Sequence, residues 1–197
     1  MIKRLLTVGA LGLTFAMPVH AGDANGRYAI KGGGRMTCDT FQKARAENSS
    51  NLLIFGGWIE GYVSAVNNYE KNTYDMTPWQ TTELLLGLIA AGCENNPDAR
   101  FVDVVGALFK QLYPQRMQSE SPIGKFEVGE TGIFMYQAVL KSVQTALNAA
   151  GYDVGTPTGL AGPETVEALV AYQKANGLKE TGLPDQATLY ALLLKLN

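Results

Sequence analysis

The chain has 197 residues, with 16 basic and 18 acidic side chains, two cysteines and one histidine, His20. This mildly acidic balance offers no electrostatic footprint for nucleic acid. His20 falls in a segment expected to be removed on export, so the mature protein lacks the group needed for Ser-His or Cys-His catalysis or for a histidine-bearing zinc site. Neither a metal nor a cofactor is expected.

Residues 1–21, "MIKRLLTVGALGLTFAMPVHA", combine the basic pair Lys3 and Arg4, an apolar run from Leu5 to Met17, and a small-residue exit before Gly22. That is the pattern of a cleaved secretory signal, and its apolar run is far shorter than the ~20 residues of a membrane span. Without Lys3 and Arg4 the mature chain carries 14 basic against 18 acidic residues, a net charge of about −4. No cysteine follows the cleavage site, so no lipid anchor is expected. The expected location is the periplasm or beyond, with no membrane anchor.

Cys38 and Cys93 survive into the mature chain, and an even cysteine count in an oxidising compartment predicts a structural disulfide. Around them, residues 22–113 read as a helical bundle. "MTCDTFQKARAE" is a short helix carrying Cys38. "LLIFGGWIEGYVSAVNNYE" sets Ile54, Trp58, Tyr62, Ala65 and Tyr69 at three- and four-residue spacings, one helical face. "TPWQTTELLLGLIAAGC" is expected to start with Thr77 as cap and Pro78 in the first turn, ending near Cys93. "NPDARFVDVVGALFKQLY" adds a helix with Phe101, Val104, Val105, Leu108 and Leu112 inward.

Residues 114–131, "PQRMQSESPIGKFEVGET", hold two prolines and no sustained period, the composition of an interdomain linker. Phe126 and Val128 are candidates for a short extended stretch docked on either flank. Residues 132–197 then read as helix, glycine-rich loop, helix, short turn and helix. Gly151 ends the first of these helices, where a left-handed residue is wanted, and Gly162 precedes Pro163 at the start of the second. Leu147, Val166, Leu169, Tyr172, Leu189, Leu192 and Leu193 fall at core spacings.

Three stretches, "VQTALNAAGYDVG", "GLAGPETVEALVAYQKANGL" and "TGLPDQATLYAL", stand in the order and spacing of a known module. Through them the last 65 or so residues resemble the three-helix peptidoglycan-binding domain of bacterial wall hydrolases. The resemblance implies a three-helix wall-binding domain at residues 132–197; with the disulfide-stapled bundle before it, the expected fold is all-α. One position departs from the family: Thr158 stands before Gly159 where an aspartate is usual, keeping part of the turn's hydrogen bonding without the charge. The loop glycines suggest backbone amides open to a ligand carboxylate or carbonyl at a helix N-terminus. The candidate peptidoglycan-binding residues around that loop are Gln144, Tyr152, Gly162, Thr165, Gln173 and Asn176.

The bundle's cysteine–helix–cysteine–proline scheme, with "GGWIEGYVSAV" between the cysteines, is similar to two groups of small periplasmic helical proteins. These are acid-stress chaperones of the HdeA type and immunity proteins of the Tai type, which implies a binding module for an unidentified periplasmic protein. The main catalytic alternative is a small wall hydrolase using Glu60, which sits among aromatic residues in "WIEGY", with Asp75 or Glu83 as partner. The expected function is an exported, non-catalytic peptidoglycan-binding protein that anchors a protein-binding bundle at the wall. A periplasmic immunity or chaperone-like protein is the alternative.

Overall fold

The computed structural model describes residues 22–194, and the expected signal segment 1–21 lies outside the described residues. The chain's contacts divide it after Ile30. Up to that point the described stretch is a turn in which Asp23 Oδ1 accepts from the N–H groups of Asn25 and Arg27 at 2.9 and 2.8 Å.

From Lys31 onward the chain forms one compact unit organised around two hydrophobic clusters. A 3₁₀ turn at Gly32–Arg35 leads into four helices, α1 (Cys38–Ala46), α2 (Asn51–Tyr69), α3 (Thr82–Cys93) and α4 (Phe101–Leu112). Phe41, Phe55 and Phe101 fill the centre of this bundle, fully buried, with ring centroids 4.8–5.0 Å apart. The Cys38–Cys93 disulfide ties the start of α1 to the end of α3, with Cα atoms 5.3 Å apart.

Two details of the bundle differ from the sequence expectation. The buried stripe of α2 runs through Phe55 and Ile59; Trp58 and Tyr62 are only half-buried, and Ile54, Ala65 and Tyr69 are exposed. A helix that is apolar nearly all round presents several candidate faces, and its neighbours select one. The cap of α3 is Thr81, whose hydroxyl accepts from Leu84 N–H, and not Thr77. Residues 77–80 stay outside the helix, and Trp79 packs against the second cluster.

The stretch read as a linker is ordered. Met117 exchanges backbone hydrogen bonds with Asp75, donating to its carbonyl at 2.8 Å and accepting from its N–H at 3.1 Å. Beyond it, β1 (Ile123–Val128) and β2 (Thr131–Tyr136) form an antiparallel hairpin in register from Ile123–Tyr136 to Val128–Thr131. Gly129, at φ +59°, supplies the left-handed turn residue. The fold is therefore mostly helical with a small sheet, which corrects the all-α expectation. Phe126 is fully buried, and the hairpin's apolar side rests on the second cluster.

That cluster is completed by α5 (Gln137–Ala149), α6 (Pro163–Ala175) and α7 (Gln186–Leu193). Val143, Leu147 and Leu169 are fully buried, with Tyr172 and Leu189 beside them. The two clusters meet through chain exchange: Trp79 packs on the second, while Leu194 packs on the first. Among the described residues no helix is long and apolar enough to cross a membrane.

Candidate functional site

The loops of the C-terminal helices are built twice on one plan. Residues 158–165, "TGLAGPET", and 181–188, "TGLPDQAT", each follow a glutamine on the preceding helix, Gln144 on α5 and Gln173 on α6. Gln144 Oε1 accepts from the N–H groups of Thr158 and Gly159 at 2.9 and 2.8 Å. Its Nε2 donates to Leu160 O and to Thr165 Oγ1 at 2.9 and 3.0 Å. Gln173 repeats this arrangement, accepting from Gly182 N–H at 2.9 Å and donating to Leu183 O and Thr188 Oγ1, both at 2.9 Å. Thr158 and Thr181 each accept from the N–H two residues on, at 3.2 Å.

These bonds assign the candidate residues. Gln144, Thr165 and Gln173 are 3, 2 and 0 % exposed, and their polar groups brace the loops from inside. The two glutamines are thus placed to hold the loops' shape, with no free polar face turned to solvent. Tyr152 is half-buried against Tyr172, ring centroids 5.7 Å apart at 82°. Burial, with the neighbouring Tyr152, raises the Tyr172 hydroxyl above its ordinary value of 10.0. Asn176 is exposed at the end of α6, where its amide donates back to Tyr172 O at 2.8 Å.

Gly162 caps α6 without a side chain, as expected, and Gly151 takes the left-handed conformation after α5, at φ +89°. The α6 N-terminus is not the open anion cradle anticipated. Pro163 brings no N–H, Thr165 and Val166 turn their N–H groups back to Gly162 O at 3.1 and 3.2 Å, and Glu164 puts a carboxylate in the first turn. The Gly159 N–H, also expected to face a ligand, is taken by Gln144.

Residues 137–192 match the family model of putative peptidoglycan binding domains. The match runs from the start of α5 to α7 and takes in both glutamine-braced loops. No curated protein and no solved structure matches the chain. The match supports peptidoglycan as a partner and association with the cell wall. Thr158, where the family usually has aspartate, retains the turn bond to Leu160 N–H through its hydroxyl.

Open surface lies elsewhere, on the two sides of Pro78–Trp79. One cleft, about 620 Å³, runs between this corner, residues 115–117, the outer face of α5 and the end of α7. The other, about 530 Å³, lies against β2 and the start of α7. In the second cleft Gln80 and Gln186 tie their Oε1 atoms to the N–H groups of Trp79 and Thr81, at 3.4 and 3.3 Å. Neither cleft was foreseeable from the sequence, because each assembles side chains from segments far apart in the chain.

Glu60 is exposed on α2 and accepts from the Thr82 hydroxyl at 3.0 Å; it lines neither cleft. Asp75 Oδ1 accepts from Thr77 N–H at 3.0 Å and from Asn67 Nδ2 at 3.4 Å, which fixes the loop that carries Trp79. Among the described residues no three His, Cys, Asp or Glu side chains come together as a metal site.

Proposed function

We propose that the chain is an exported, non-catalytic peptidoglycan-binding protein of the periplasm that holds a protein-binding helical bundle at the cell wall. The observation that carries this reading is the peptidoglycan-binding family match over residues 137–192. The glutamine-braced loops support it, since they give the domain a rigid surface at little entropic cost to binding. The bundle's role as a binding module is supported by the adjacent Leu53 and Ile54 near the start of α2, which are 78 % and 45 % exposed. Large apolar residues side by side in solvent are what a partner protein covers.

Sedimentation with purified sacculi tests the reading. The mature protein is expected to co-sediment, and Glu60→Gln is expected to co-sediment equally. Neither is expected to release soluble muropeptides. Release by the wild type that Glu60→Gln abolishes would replace this reading with the hydrolase; absence of co-sedimentation would remove the wall from the account.

A further inference from the structure

The 620 Å³ cleft has a chemistry of its own. Its floor is the outer face of α5, where Ala138, Ser142, Thr145, Ala146 and Ala149 present small side chains in succession. The Ser142 and Thr145 hydroxyls donate to their own helix, at Ala138 O and Lys141 O, so the floor is shallow in profile and nearly apolar in character. Pro78, Trp79, Met117 and the end of α7 form apolar walls.

The charged groups lining it are Arg116 and Lys141, with no carboxylate among the lining residues, although the chain as a whole carries more acidic than basic residues. Arg116 is held in place by uncharged partners: Nε donates to Thr73 Oγ1 at 3.0 Å, Nη1 donates to Tyr113 O at 2.9 Å, and the guanidinium carbon lies 3.8 Å from the Tyr113 ring centroid. Lys141 is exposed at the edge of the floor. Among the described residues neither cation is in an ion pair. A preorganised guanidinium and a lysine beside apolar walls, without a counter-charge, suit a ligand with carboxylates on a small-residue backbone.

We propose that this cleft, at the junction of the bundle and the C-terminal domain, binds the stem peptide of peptidoglycan, which rests on the wall-binding reading above. The small α5 side chains admit the alanines of that peptide at close range, and Arg116 and Lys141 pair with its carboxylates. In a glycan that carries its peptide, the lactyl carboxyl of the muramic acid is taken up in the amide bond to that peptide, so the sugars bring no charge to meet these cations and the peptide is the portion recognised.

Calorimetric titration of the full mature chain with a disaccharide-tetrapeptide, and with the same disaccharide carrying a simple amide on its lactyl carboxyl in place of the peptide, tests this beside sacculus sedimentation. Lys141→Glu reverses an exposed charge, and Thr145→Phe fills the floor from an exposed position. Each is expected to weaken tetrapeptide binding by about tenfold or more while the melting temperature stays that of the wild type. Lys141→Gln is expected to fall between wild type and Lys141→Glu, and the peptide-free disaccharide is expected not to bind. Wild-type affinity in both Lys141→Glu and Thr145→Phe, with sacculus binding intact, would overturn the cleft and leave the wall reading standing. Equal binding of both disaccharides would overturn the peptide as ligand, as would displacement of the tetrapeptide by a fatty acid. Failure of the wild type to sediment with sacculi would instead remove the wall reading itself.

Discussion

Replacing Gln173 by leucine keeps the side chain's approximate volume and removes its hydrogen bonding. Gln173 is fully buried, and the change takes a partner from the Gly182 N–H, the Leu183 carbonyl and the Thr188 hydroxyl, each 2.9 Å from it in the wild type. Thr188 retains its bond to Asp185 Oδ1 at 2.8 Å and the Leu183 carbonyl keeps the Thr181 hydroxyl at 3.4 Å, so the group left without a partner is the Gly182 N–H. A buried polar group left without a partner costs about 1–3 kcal/mol, which is the loss expected here. With a urea dependence of about 1–3 kcal/mol per molar, an intermediate cost of about 2 kcal/mol moves the unfolding midpoint down by about 0.7 M or more. The assay is urea unfolding followed by circular dichroism, with Asn176→Ala as comparison, because Asn176 is exposed and its loss is expected to cost about 0.5 kcal/mol or less. If Gln173→Leu unfolds within about 0.5 kcal/mol of wild type, the glutamine does not hold the loop.

Reducing the Cys38–Cys93 bridge, which spans 55 residues, is expected to destabilise the bundle by about 4 kcal/mol on the chain-entropy account, measured as a lower melting temperature with dithiothreitol. Gly159→Ala is expected to cost at least about 1–3 kcal/mol, because φ is +79° there and the added Cβ would run into the Gln137 carbonyl oxygen; unchanged thermal stability would contradict the loop geometry. Tyr172 sets an alkaline limit. Its hydroxyl loses its proton at higher pH in the folded than in the unfolded state, so its contribution is complete below the ordinary value of 10.0 and is lost as pH rises through the folded value. Tyr172→Phe is expected to flatten the fall in melting temperature above that pH, and an unchanged slope would show that Tyr172 does not cause it.

Much of the local structure was written in residue type. Gly151 after α5 and the Gly162–Pro163 start of α6 are decided by chemistry within a few residues, and the even cysteine count pointed to the Cys38–Cys93 bridge. The core positions Leu147 on α5, Leu169 and Tyr172 on α6 and Leu189 on α7 are local too, each falling among the apolar positions of its own helix. The twin loops were legible too, since "TGLAGPET" and "TGLPDQAT" repeat with a glutamine upstream of each. Comparing those two stretches would have pointed to Gln144 and Gln173 as paired internal braces.

What the tertiary structure decided is which of several locally equal options the neighbours reward. The buried face of α2 could not be chosen from a helix apolar on most sides. Helix α3 starts at Thr82 with Thr81 as cap, not at Pro78, while Trp79 packs against a cluster formed by residues far along the chain. Of the hairpin only the extended stretch at Phe126 and Val128 was legible; its pairing was hidden because each strand exposes one side and alternates only weakly, with Ile123 62 % and Phe134 74 % exposed. The cationic cleft has no sequence signature at all, since Trp79, Arg116 and Lys141 meet only once the two clusters are packed together.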